Sequence, residues 1–277
     1  MIALLRTVLL PRPTRVLIVL LGSWLSLPLP LFALNVQRLE PAEIEQLNDV
    51  LRALDPLIAA RRQGGTANLL TWERLYTPLT PDQRAFLDEF RALKGQALGA
   101  TSHYFGEVEV SDLVPVGPEA VQKDGLATRL DRQYLPSQVF DAYVRMMEAM
   151  NGDLGKRLYV ESGYRSPAYQ LYLFLFYLPK HDYSITETNR FVALPGHSEH
   201  GYPLRQAIDF INETGISGED HPEAFETLPE YRWLQQHAHA FGFALSYPRD
   251  NAEHTAFEPW HWHYENGNLQ TAASRQR

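Results

Sequence analysis

The chain has 277 residues, 45% of them hydrophobic, enough to bury a full core in one large domain or two small ones. A formal charge of -8 at pH 7 argues against nucleic-acid binding, which needs a basic face for phosphate. With no cysteine there are no disulfides, thiolate metal ligands or cysteine nucleophile, so any metal must sit on His, Asp or Glu.

At the amino terminus, Arg6, Arg12 and Arg15 precede an uncharged run from Val16 to Val36 that is rich in Leu and Val. A positive flank before an apolar stretch marks a secretory signal or a signal anchor. About 20 residues is long enough to span a bilayer, although Pro28 and Pro30 disturb the last turns. Phe32-Ala33-Leu34 matches a small-x-small cleavage site poorly, and both cleavage and retention stay open. Residues 1–36 are expected to be a signal peptide or membrane anchor. The remainder is then exported, either periplasmic or anchored to the outer face of the cytoplasmic membrane.

From Pro41 to Arg62 the residues Ile44, Leu47, Val50, Leu51, Leu54, Leu57 and Ile58 keep a three-four spacing that predicts an amphipathic helix, ended by Gly64-Gly65. Thr80-Pro81-Asp82-Gln83 starts another, with a cap, a first-turn proline and a capping-box glutamine. Phe86, Phe90 and Leu93 line one of its faces. Residues 37–134 are thus expected to form a mainly helical extension, either packed on the carboxy-terminal half of the chain or serving as a spacer.

Residues 135–277 carry the chemistry. Ser137 to Met150 reads as a helix with Val139, Phe140, Tyr143, Val144, Met147 and Met150 inward. Leu158-Tyr159-Val160 reads as a strand leading to Gly163-Tyr164-Arg165, and Ser166-Pro167 caps an apolar helix from Ala168 to about Leu178. Arg165 therefore stands at a strand-to-helix junction. A guanidinium there suits bidentate pairing with a carboxylate, or else a surface salt bridge. Ala207 to Ile211 has strand character, Tyr231 to Phe241 is helical, and Phe243-Ala244-Leu245 is a strand. Glu258 to Tyr264 is read as a strand that puts His261 and His263 on the face opposite Glu258, unless Pro259 breaks the pleat. The order predicts an α+β domain, a small antiparallel sheet with flanking helices.

Two segments stand out. Pro195-Gly196-His197-Ser198-Glu199-His200-Gly201 runs on to Ala207-Ile208-Asp209, and some fifty residues later comes Glu258-Pro259-Trp260-His261. Together they offer two histidines, an aspartate and a spare glutamate, the donor set of a catalytic zinc site with a carboxylate to take a proton from water. The class expected is a metal-dependent hydrolase. His237, His239 and His254 read as surface or supporting residues, and Asp182, Glu187, Asp220 and Glu223 as a solvated face.

Glu161-Ser162-Gly163-Tyr164-Arg165-Ser166, the Ser198-Glu199-His200 segment with its Ala-x-Asp, and Glu258-Pro259-Trp260-His261 resemble the VanY-like D-alanyl-D-alanine carboxypeptidases. That family belongs to the zinc peptidases sharing the hedgehog fold. The resemblance runs from about Leu158 to Tyr264 and includes Phe241 to Pro248. It implies Zn2+ on His200, Asp209 and His261, with Glu258 as general base. It also implies that Arg165 binds the substrate's carboxylate and that Ser198 and Gln170 line the same pocket. The implied partner is a peptidoglycan stem peptide losing its terminal D-alanine.

Two departures qualify this. Eight residues, Gly201 to Ile208, separate His200 from Asp209 where the family has six, and Gln206 stands where a glycine is usual. The extra length is either absorbed near Gly201-Tyr202-Pro203 or moves Asp209 out of register. His263 replaces a common arginine and is a candidate substrate contact. An endopeptidase with the same metal chemistry, or a catalytically impaired cell-wall binding protein, are the alternatives. A serine hydrolase is weaker, since Ser198 lacks a Gly-x-Ser-x-Gly elbow.

Overall fold

Helix α1 (Pro41–Gln63) forms where the spacing predicts, with Leu47, Val50, Leu54 and Ile58 buried and Pro41 in its first turn. These belong to a computed structural model that describes residues 34–93, 103–108, 110–219, 221–251 and 256–265. The run up to Ala33, Asp220 and His254 lie outside the described residues. Helix α2 (Trp72–Tyr76) follows, then α3 (Pro81–Arg91), whose Thr80 and Gln83 complete the expected capping box. Among the described residues no helix is long and apolar enough to cross a membrane.

The stretch before the next long helix departs from a helical reading. Strands β1 (Leu113–Val116) and β4 (Gln133–Pro136) pair antiparallel, and so do β2 (Ala120–Lys123) and β3 (Leu126–Arg129). Asp124-Gly125 makes the two-residue turn of the second pair, both residues at positive φ, the conformation that Asp-Gly favours between twisted strands.

Helix α4 (Ser137–Leu154) buries Val139, Ala142, Met146, Met147 and Met150. Strand β5 (Leu158–Ser162) then leads to α5 (Pro167–Tyr177), capped as expected by the Ser166 hydroxyl accepting from the Tyr169 N–H. A short α6 (Ile185–Thr188) precedes β6 (Ala207–Asn212). After α7 (Pro222–Glu226) and α8 (Pro229–His237) come β7 (Phe243–Leu245) and β8 (His261–Tyr264). The four strands of the main sheet lie in the order β5-β6-β8-β7, every neighbouring pair antiparallel.

Two apolar clusters hold these elements. One joins α1, α2 and α3 to α5 and the segment around Leu194, so the amino-terminal helices pack on the body carrying the motifs and are not a detached spacer. The other lies between the sheet, α4 and α8, where Leu158, Val160, Ile208, Phe210 and Trp262 meet Met146, Tyr231 and Leu234. Each large side chain so buried contributes about 1.5–3 kcal/mol. Side chains alternate along a strand, so burying Ile208, Phe210 and Trp262 on one face sends Asp209, His261 and His263 to the other. The core thereby orients the polar residues.

Candidate metal centre

Asp209 and His261 are direct partners across β6 and β8, and their side chains meet with Oδ1 2.8 Å from Nδ1. The third member comes from a loop. His200 sits in a 3-10 turn, Glu199–Gly201, and its Nδ1 lies 2.7 Å from the Gly163 carbonyl oxygen, to which it donates as a neutral ring. That leaves Nε2 as the free lone pair, 3.1 Å from Asp209 Oδ2 and buried without a hydrogen-bond partner among the described residues. The fixing of one ring nitrogen by a carbonyl is how metal-binding histidines are aimed. Gly163 itself lies tight against β4, since a Cβ there would stand 2.5 Å from the Tyr134 carbonyl oxygen.

The extra length before Asp209 is absorbed without loss of register. A second 3-10 turn, Pro203–Arg205, follows the one that carries His200, and Gln206 is buried at the mouth of β6. Donor atoms of His200, Asp209 and His261 all lie within 4.8 Å of one another, so the cluster could hold a metal ion. The chemistry of the set fits one. Burial and the nearby Arg165 guanidinium lower His200 to about 4, keeping the ring neutral. Asp209 is held far below the usual carboxylate range: burial opposes ionisation, but His200 and His261 outweigh it.

Glu258 reaches the cluster by a route that strand alternation does not provide. Strand β8 begins only at His261, and the His261 N–H donates to the Glu258 carbonyl at 3.1 Å, closing a turn over Pro259 and Trp260. Proline in the second position of such a turn has the right φ built in. The expected strand from Glu258 is therefore corrected: the turn brings Glu258 to the His261 side, with Oε2 3.6 Å from Nδ1. Burial pushes the Glu258 carboxyl up to about 8. Trp260 packs over Gly218, where a Cβ would stand 1.9 Å from the indole.

A carboxylate whose role was not assigned from sequence completes the centre. Glu199, 4% exposed, places Oε2 3.0 Å from His261 Nε2 and accepts from Ser246 Oγ at 2.5 Å, while its Oε1 accepts from Arg205 Nε at 2.5 Å. Burial disfavours its charge, but His261 and the other donors hold it well below the usual range. With Glu199 on Nε2, the Nδ1 of His261 is the nitrogen turned to Asp209 and Glu258. Burial likewise opposes charge on His261, yet Asp209 and Glu199 raise it to about 10 in the metal-free cluster. The signal available in the sequence was a glutamate directly beside the motif histidine.

Arg165 follows β5 as expected and pairs with the cluster: Nη2 lies 3.1 Å from Asp209 Oδ2 and Nη1 3.3 Å from Gln170 Oε1. Gln170 is fixed from the other side by donating to the Ala193 carbonyl at 2.7 Å. Arg165, Gln170, Ser198, Glu258 and the three members of the cluster line one cavity of about 950 Å³. His263 stands apart from these expected contacts. It is not among the residues lining that cavity, and its ring sits between Ser246 Oγ at 2.7 Å and Glu265 Oε1 at 3.0 Å. His197, the other motif histidine, lines the cavity but is not a member of the cluster.

Fold and site define a class, a hydrolase built on a small antiparallel sheet. Comparison with known proteins narrows it. The family model of VanY, D-alanyl-D-alanine carboxypeptidase, matches residues 132–267. The bifunctional D-Ala-D-Ala dipeptidase and D-Ala-D-Ala carboxypeptidase VanXYC of Enterococcus gallinarum is 32% identical over 140 residues, 47% of this chain and 67% of that protein. YodJ of Bacillus subtilis (strain 168) is 30% identical over 164 residues, 57% of this chain and 55% of that protein. A solved LD-carboxypeptidase, LdcB, aligns with a TM-score of 0.45 and 27% identity over 61% of this chain and 75% of its own. The chain belongs to the VanY family of D-alanyl-D-alanine carboxypeptidases. It spans about half the length of YodJ.

Proposed function

We propose that the chain is a zinc-dependent D-alanyl-D-alanine carboxypeptidase that removes the terminal D-alanine of peptidoglycan stem peptides. One observation carries the reading. Two directly opposed strand residues, Asp209 and His261, meet an unpartnered His200 Nε2 while a turn sets Glu258 3.6 Å from His261. His200, Asp209 and His261 would hold the zinc, which when bound would supply Lewis-acid polarisation, an acidified water and a positive charge favouring the ionised form of Glu258.

Glu258 is the general base. A group titrating near the working pH both takes and returns a proton efficiently, and even without metal this carboxyl stands at about 8. It takes the water's proton and delivers it to the leaving amine. Arg165 anchors the terminal carboxylate, with Gln170 holding its guanidinium and Ser198 on the same wall. Glu199 keeps His261 turned so that Nδ1 faces the cluster. The amino-terminal run of residues 1–36 supports delivery across the cytoplasmic membrane, where this substrate is found.

The test is release of D-alanine from a synthetic stem pentapeptide, with chelator, with zinc restored, and with Glu258→Ala. Release that chelator abolishes, zinc restores and the variant lacks is the expected result. Chelator-resistant release overturns the metal reading. Cutting of intact peptidoglycan without free D-alanine replaces the carboxypeptidase by an endopeptidase.

A further inference from the structure

The cavity that holds the cluster is much larger than one alanine requires. At about 950 Å³ it lies at the top of the ~300–1,000 Å³ range of ligand pockets, with room for several residues of a peptide. Part of its wall is built by chain that precedes the family-matched stretch or only just enters it. Arg62 comes from the last turn of α1, Arg129 from the end of β3, and Arg132 from the loop before β4. The chain is acidic overall, yet this cavity also collects Arg62, Arg129, Arg132, Lys180 and Arg190, outside the residues of the metal cluster, against Asp131, Glu161 and Glu219.

The three wall arginines differ from Arg190 in their partners. Arg190 is neutralised by Glu187, and Lys180 lies over the Tyr177 ring. None of Arg62, Arg129 and Arg132 forms a salt bridge with a carboxylate among the described residues. Arg62 is steadied by the rings of Tyr172 and Phe176, each 5.9 Å from its guanidinium carbon. Arg132 packs by its Cβ on Gly65, where an added Cβ would stand only 3.0 Å away. Arg62 also hydrogen-bonds Tyr169 and has Asp131 nearby, while Arg129 and Arg132 are exposed, so none of the three heads is locked in a carboxylate ion pair and all can meet an anionic partner. Guanidinium geometry matches carboxylates in a two-pronged fashion.

We propose that Arg62, Arg129 and Arg132 form a subsite for free carboxylates on the acyl side of the scissile bond, so that the enzyme selects acidic stem peptides over amidated ones. This rests on the carboxypeptidase reading: when one terminal residue leaves, whatever fills the rest of the cavity belongs to the acyl side. The amino-terminal helices then contribute directly to substrate choice.

The experiment compares L-Ala-γ-D-Glu-L-Lys-D-Ala-D-Ala with the same peptide carrying the glutamate α-carboxylate as its amide. Wild-type enzyme is expected to favour the free carboxylate at least tenfold in kcat/KM, chiefly through KM, and the preference should shrink as salt rises. In Arg129→Gln/Arg132→Gln the preference falls below threefold. Arg145→Gln, an exposed arginine on α4 that does not line the cavity, keeps it. Equal use of both peptides by wild type, or an unchanged preference in the double variant, overturns the proposal. If neither peptide is cleaved, the carboxypeptidase reading fails, and fluorescence anisotropy of the two labelled peptides decides the subsite separately. Tighter binding of the free acid that is lost in the double variant upholds it, and equal binding refutes it.

Discussion

Glu199→Gln is the sharpest probe of how the centre is held together. The substitution keeps the volume and removes the charge. Glu199 accepts from His261 Nε2, Ser246 Oγ and Arg205 Nε, using both oxygens. An amide has one accepting oxygen, so it must turn an N–H towards either His261 and Ser246 or Arg205. At least one charge-assisted hydrogen bond is lost, about 1.5–3 kcal/mol each, and the ring that should present Nδ1 is free to rotate. That loss corresponds to roughly tenfold or more in affinity, in line with the ~10–100-fold typical of groups that orient metal ligands. Zinc affinity measured by competition with a chromophoric chelator should weaken by this factor, and excess zinc should restore much of the turnover. An affinity within threefold of wild type would show that Glu199 does not position His261.

Glu258→Gln should lower turnover by ~10²–10⁴-fold, the usual worth of a positioned acid–base group, while bound zinc stays at wild-type stoichiometry; activity above a tenth of wild type refutes the assignment. For chelated protein, the raised groups set the pH dependence. Glu258 moves from 4.5 to about 8 and His261 from 6.5 to about 10 on folding, so between pH 6.5 and 8 the folded state holds two protons that the unfolded state has released. The stability from Glu258 is full below 4.5 and lost as pH rises through 8, and that from His261 is full below 6.5 and lost through 10. With each proton worth about 1.4 kcal/mol per pH unit, the Tm of the metal-free protein should fall steeply from pH 6.5 to 8, and a flat or rising Tm contradicts the cluster as described. Gly163→Ala forces a methyl to 2.5 Å from the Tyr134 carbonyl oxygen and should cost about 1–3 kcal/mol, whereas Gly152→Ala on α4 meets nothing within 4 Å and should leave Tm unchanged or higher. Equal thermal shifts for the two would mean that the backbone at Gly163 yields freely.

The parts of this architecture legible in the sequence are those decided locally. Helix α1 follows from its apolar spacing, α3 and α5 from their caps, and β6 from its position in the motif. The cluster could be named because its residue types recur in a recognisable order. What escaped was decided at a distance or by one turn. Glu199 gains meaning only when β8 brings His261 against it, 62 positions later in the chain. The turn at Pro259 reverses the face that alternation assigns to Glu258, and period-two reasoning has no means to place it. The short pairs β1–β4 and β2–β3 have only four residues per strand, too few for periodicity to register, although Asp124-Gly125 carried a hairpin signal. His263 shares its strand face with His261, but Ser246 and Glu265 fix its ring away from the cavity.

Helix α5 has a consequence for how this protein can be divided. Its buried Ala168, Leu171, Phe174 and Leu175 join the apolar cluster of α1 and α3, outside the family-matched stretch. The junction that presents Arg165 is sewn to the same region: the Ser166 hydroxyl donates to the Leu70 carbonyl at 2.6 Å, and its backbone N–H to that of Asn68 at 2.9 Å. A fragment cut at residue 132 would strip one side of α5 bare and release the backbone that aims the arginine. The recognisable half of the chain is thus not a separable module. Shortening, grafting or swapping this enzyme has to carry its amino-terminal helices along, and any lineage that remodels them must remodel α5 as well.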